Sequence, residues 1–177
     1  MAPRADAARN AESLISAARE LFDEQGSDVA LDDIARRAGV GNATLYRHFP
    51  TRGDLLVAVY AEEVAELCEQ GKTLLHKPSA ADALFDWLDC FVVHVATKRA
   101  LAMGATDGRR TELFDRWHEA MRSAALGLLL RAQQEGAIRS DLDVADLLAL
   151  TRAVAMTGAG PGHAQRLLRI LRHGLQV

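Results

Sequence analysis

Thr44, Tyr46, Arg47 and His48 set two hydroxyls, a guanidinium and an imidazole within five consecutive residues of a 177-residue chain. Such groups donate hydrogen bonds to phosphate oxygens, and the short residues just before them, Asn42 and Ala43, let a backbone approach base edges. A second set, Trp87, Phe91, His94, Met103, Phe114, Trp117, His118 and Met121, is aromatic and methionine-rich with two imidazoles. It is a candidate lining for a small-molecule pocket, although the same residues at helical spacing also suit plain core. Cys90 and His94 lie one helical turn apart, but no third or fourth ligand is fixed by spacing, so neither a metal nor a cofactor is expected. Cys68 and Cys90 admit an oxidant-sensing reading beside the ordinary one of buried thiols. The loop GAGPG at 158–162 lacks the Lys-Ser/Thr pair and preceding strand of a phosphate cradle and reads as an interhelix turn. No HExxH or GxSxG run occurs, so an enzyme is not expected.

The polar run needs an element to carry it. In LDDIARRAGVGNATLYRHFPTR, residues 31–52, Leu31, Ile34, Ala35 and Ala38 form one apolar stripe, Gly39 reverses the chain, and Leu45 and Phe49 recur four apart. The pattern predicts two short helices joined by a glycine turn, with Val40 filling the angle between them and the second helix, 42–48, turning its polar residues outward. Pro50 stops that helix and Thr51 can cap the next, which begins near Arg52, itself a candidate phosphate contact.

These residues resemble the tetracycline-repressor (TetR) family of bacterial transcription regulators, whose hallmark I-A-x-x-A-G-V followed by T-L-Y-x-H-F stands here as IARRAGV (34–40) and TLYRHF (44–49). The preceding LISAARELFDEQG, with Ile15, Ala18, Leu21, Phe22 and Gly26, fits the same pattern, and the likeness is specific from about Ser13 to Leu56. The resemblance implies that Thr44, Tyr46 and His48 contact the DNA backbone, that Asn42 and Ala43 lie nearest the bases, and that Arg52 anchors a phosphate. It also implies a homodimer formed by the last two helices, and a repressor released from a palindromic operator by a small-molecule effector. Two departures stand out. Ala30 occupies a position where the family often has a capping Ser or Thr, leaving Asp28 or Ser27 to cap, and Gly41 stands where many members have Ser.

Composition agrees with an all-α chain, being rich in Ala and Leu and poor in Pro. The net charge of −3 excludes binding by bulk charge, so DNA affinity is expected from a local patch such as Arg4, Arg9, Arg36, Arg37, Arg47 and Arg52. No secretory, lipidation or membrane-spanning pattern is visible, and a cytoplasmic location is expected. Residues 1–9 read as a loose arm, 10–55 as the DNA-binding head with its helix-turn-helix at about 31–50, and 56–177 as a ligand-binding and dimerisation domain.

In that second domain helices are expected at 52–71, 80–97 with a shorter one after it, 111–135, 142–157 and 163–175. Gly136 is the expected C-cap before Ser140 or Asp141 caps the next helix. Leu147, Leu150, Val154, Leu167, Leu168 and Leu171, together with Ile170, exceed what a monomer needs to seal its end and are the expected dimer interface. Two alternatives remain: a dimeric DNA-binding regulator that takes no small molecule, and a helical enzyme whose helix-turn-helix is only structural.

Overall fold

The computed structural model describes residues 2–26, 28–102, 108–157 and 161–177, with side chains over 6–26, 28–95, 112–157 and 162–177. Eight helices span these residues: α1 (Ala2–Gln25), α2 (Leu31–Arg37), α3 (Asn42–His48), α4 (Arg52–Leu74), α5 (Ala80–Ala102), α6 (Gly108–Gln134), α7 (Val144–Ala155) and α8 (Pro161–Leu175). The chain divides into two compact units, one made of Met1–Glu62 with Arg99–Ala105 and the other of Glu63–Lys98 with Thr106–Val177, so that boundaries fall inside α4 and inside α5.

In the first unit α1, α2, α3 and the start of α4 enclose Leu14, Leu21, Ile34, Leu45, Phe49, Leu55 and Val59, with Val40 packed against them as its position predicts. Each fully buried aliphatic side chain of this kind stabilises the unit by about 1.5–3 kcal/mol. Gly39 (φ 70°) ends α2: its amide bonds the Arg36 carbonyl at 3.1 Å and the Val40 amide bonds that of Ala35 at 3.0 Å. This Schellman closure needs the left-handed conformation that glycine adopts without strain. Phe49 leaves the helical region (φ −130°, ψ 86°), as a residue before proline is pushed to do, and α3 stops there. Thr51 then caps α4 reciprocally: its Oγ1 accepts from the Asp54 amide at 3.2 Å while the Asp54 carboxylate accepts from the Thr51 amide at 2.9 Å.

The second unit packs around Trp87, Leu84, Leu88, Leu128, Leu129, Ile138 and Leu147, all fully buried. The Trp87 indole donates to the Leu67 carbonyl at 2.9 Å, joining α5 to α4. Gly71 permits that approach, since a Cβ there would stand 3.1 Å from the Ala124 Cβ and 3.2 Å from the indole nitrogen. From α6, Arg131 donates to the Leu75 and Pro78 carbonyls at 2.8 and 3.3 Å and so satisfies acceptors left over where α4 ends.

Four expectations are corrected. Helix α1 runs back to Ala2 through the stretch read as an arm; its Ala-rich sequence favours helix, Pro3 suits a first turn, and Arg9 pairs with Asp6 three residues away. No side chain caps α2, whose N-cap is Ala30 itself, so Asp28 does not serve; Ser27 lies outside the described residues. α5 is one helix to Ala102, not two. Asp143, and neither Ser140 nor Asp141, caps α7, accepting from the Asp146 amide at 2.8 Å, while Asp141 is held by Arg139 at 2.6 Å.

Candidate nucleic-acid interface

Burial of Leu45 and Phe49 fixes how α3 is turned. With those two side chains in the core, Asn42, Ala43, Tyr46 and Arg47 are exposed, Tyr46 at 48%, and Thr44 and His48 are half-buried. The exposed surface carries two short residues at the start of the helix, then the Tyr46 hydroxyl and the Arg47 guanidinium, while Thr44 and His48 are less outward than expected. Gly41 is the N-cap in an ordinary extended conformation (φ −76°, ψ 152°), with nothing within 4 Å of where a Cβ would stand. His48 differs from a freely outward imidazole, because its Nε2 is buried with no hydrogen-bond partner among the described residues and its ring lies 6.2 Å from that of Phe49.

The basic patch is less uniform than the sequence suggests. Arg47 makes no ion pair or side-chain hydrogen bond among the described residues. Arg36 pairs with Asp33 at 2.8 Å, and Arg37 reaches back to α1, to Glu20 at 3.1 Å and Glu24 at 3.2 Å. Hydrogen bonding and then the charge of Arg37 hold the Glu24 carboxyl below the usual carboxylate range, and the two glutamates raise Arg37 in turn. Arg52, expected as a phosphate anchor, donates to the Val29 carbonyl and so ties the start of α4 to the loop before α2. The Arg4 side chain lies outside the described residues.

In the second unit the pocket candidates fall into two groups. On α5, Trp87, Phe91 and His94 are buried; the Trp87 and Phe91 rings stack at 5.4 Å and 12°. On α6, Phe114, Trp117 and His118 are half-buried, Phe114 meeting Trp117 edge-on at 5.3 Å, and Met121 is buried. Met103 lies outside the described residues. The indole bond to Leu67 makes Trp87 part of the core. Sequence reasoning missed Glu63, whose carboxylate sits 3.5 Å from His94 Nδ1 with both side chains nearly buried. The signal was available, since Glu63 falls four residues from both Val59 and Leu67 on the inner stripe of α4.

Cys68 and Cys90 are both half-buried free thiols, and burial pushes each pKa up, which lowers the thiolate fraction that oxidants attack. No group of three or more metal-ligating side chains occurs among the described residues, and none of the described helices is long and apolar enough to cross a membrane. An open groove of about 530 Å³ lies along α7, lined in part by Asp146, Ala149, Leu150, Ala153 and Leu175.

The expected dimer residues divide as well. Leu147 and Leu168 are buried in the chain's own core, correcting their assignment to a free surface, because each helix must first seal its own protomer. Val154, Leu167 and Leu171 are half-buried. Leu150 is 45% exposed and is joined in solvent by Met156 and Ile170.

Comparison with known proteins agrees with this arrangement. Residues 14–59 match the tetR family of bacterial regulatory proteins, and residues 79–177 match the C-terminal domain of SbtR-like transcriptional regulators. The solved structure of a TetR transcriptional regulator from Streptomyces coelicolor is 35% identical and superposes with a TM-score of 0.76 over 94% of this chain and 98% of that one. A TetR regulator from Mycobacterium vanbaalenii is 34% identical, with a TM-score of 0.77 over 98% and 99%. An HTH-type transcriptional regulator of Staphylococcus aureus is 35% identical over 72 residues; that match spans 40% of this chain and only 39% of the relative. With family matches over both its reading head and its C-terminal helices, the chain belongs to the tetR family, whose members are helix-turn-helix DNA-binding transcriptional regulators and not enzymes.

Proposed function

We propose that the protein is a cytoplasmic homodimeric repressor that binds a palindromic operator and is released from it by a small-molecule effector. The observation that carries the reading is the exposure of Leu150 on α7, Met156 at its C-terminal end and Ile170 on α8, although Leu147 and Leu168 already close the protomer's own core. Apolar side chains left over in this way suit a second copy of the same surface, and a two-fold axis gives two heads that read the halves of a palindrome. In each head Asn42 and Ala43 approach the bases, while Thr44, Tyr46, Arg47 and His48 contact the backbone; Arg52 contributes mainly by placing α4.

The half-buried Phe114, Trp117 and His118 support an effector site on α6. A ligand that shifts α4 alters the spacing of the heads, because α4 is continuous from Arg52 to Leu74. The regulator without a ligand is favoured by one contrary observation: the packing is tight around Gly71 and the hydrogen-bonded Trp87, where an added methyl group would stand 3.1–3.2 Å from its neighbours. Sedimentation of the wild type and of Leu150→Asp/Ile170→Asp tests the dimer. The wild type is expected as a dimer and the variant as a helical monomer that has lost operator binding. A variant that stays dimeric would refute the interface.

A further inference from the structure

The reading head is acidic. Residues 1–62 contain seven arginines, no lysine and ten carboxylates. A head that bound DNA through bulk phosphate attraction would show the opposite balance. The arginines it does have are mostly engaged within the chain: Arg9 with Asp6, Arg36 with Asp33, Arg37 with Glu20 and Glu24, and Arg52 with the Val29 carbonyl, while Arg19 also interacts internally. Of the six arginines whose side chains are described, Arg47 alone has no such partner, and it stands on the exposed face of α3.

We propose that this head recognises its operator mainly through uncharged contacts, with Arg47 supplying most of the phosphate charge term, so that binding is only weakly salt-dependent and non-specific duplex is held poorly. The inference rests on the operator-binding reading above. Its physical basis is not that the ion pairs are strong, for exposed pairs are worth about 0–1 kcal/mol. If Arg9, Arg36 or Arg37 left its carboxylate for a phosphate, it would abandon a negative charge close to the polyanion, and the net number of DNA counterions released would hardly rise; Arg52, held by a neutral carbonyl, carries no such penalty and would add at most one phosphate per head. The slope of log K against log salt counts that net number, at about −0.9 per phosphate neutralised. Arg47 alone gives about −2 for a dimer and Arg47 with Arg52 about −4, whereas all six acting on phosphates would give about −11.

The experiment is a fluorescence-anisotropy titration of the full-length wild type against its selected duplex and a scrambled one, from 50 to 300 mM salt. A slope shallower than about −5 is expected; −5 or steeper would overturn the proposal. Arg47→Ala is expected to flatten the slope by about 2 per dimer, and Arg37→Gln by less. An equal or larger change for Arg37→Gln would assign the charge term to the wrong residue and overturn it as well. Failure of the underlying reading looks different: folded, dimeric protein would retain no duplex at any salt concentration.

Discussion

The α2–α3 pair and the α7–α8 pair are both helix pairs that keep some side chains out of the core, and what they expose differs in kind. The first presents Asn42, Tyr46 and Arg47, polar groups suited to a hydrated polyanion; the second presents Leu150, Met156 and Ile170, suited to another apolar surface. Behind these faces the interiors differ too. The head is closed by aliphatic side chains and Phe49, with its arginines bracing it from outside. The second unit buries His94 beside Glu63 and ties Trp87 to a backbone carbonyl. The head thus keeps its polar chemistry on the surface, whereas the second unit takes polar groups into its interior.

The largest test of that contrast truncates each core. Leu45→Ala should cost about 2–5 kcal/mol and Trp87→Ala about 3–5 kcal/mol. In the small head the first loss is expected to abolish DNA binding while the second unit stays folded, as hydrogen exchange resolved by segment would report. Uniform loss of protection in both units would mean that they unfold as one. Gly71→Ala is the next largest: crowding against Ala124 and the tethered indole costs about 1–3 kcal/mol, more than the helix-propensity gain of about 1 kcal/mol, so a lower melting temperature is expected.

Ala30→Ser should act in the opposite direction, raising the head's stability by about 1 kcal/mol, because α2 has no side-chain cap and Ala30 already holds an extended conformation (φ −65°, ψ 138°). An unchanged denaturation midpoint would show that solvent satisfies those amides equally well. The smallest effect is one of pH. The hydrogen bond from Arg172, and after it that from Ser79, hold the Asp82 carboxyl below the usual range. A depressed folded-state pKa means that the contribution is complete above about pH 4 and is lost as pH falls below it. Asp82→Asn should therefore narrow its gap to the wild type in acid; a gap that is constant with pH would assign the loss to packing, since Arg172 also covers the Phe85 ring at 5.3 Å.

The comparison also explains what could be read from the sequence. Helices α2 and α3 and the turn at Gly39 depend on residues within five positions of one another, so spacing alone placed them and oriented Tyr46 and Arg47 outward. The partners of Arg37 stand 13 and 17 residues away on α1, and no local pattern tied them together. In α7 and α8 apolar residues surround the helices, and which of them face inward depends on the helices packed against them. For that reason Leu147 and Leu168 proved to be core, and Met156 was overlooked. Glu63 was legible in principle, as a carboxylate on an otherwise apolar stripe.

Selection of duplexes from a random pool with the wild-type protein asks whether α3 reads DNA in a two-fold dimer. An enriched palindrome is expected, its half-sites separated by one helical turn, roughly 34 Å, or a multiple of it. Folded, dimeric protein that enriched no sequence, or enriched only isolated half-sites, would contradict that reading.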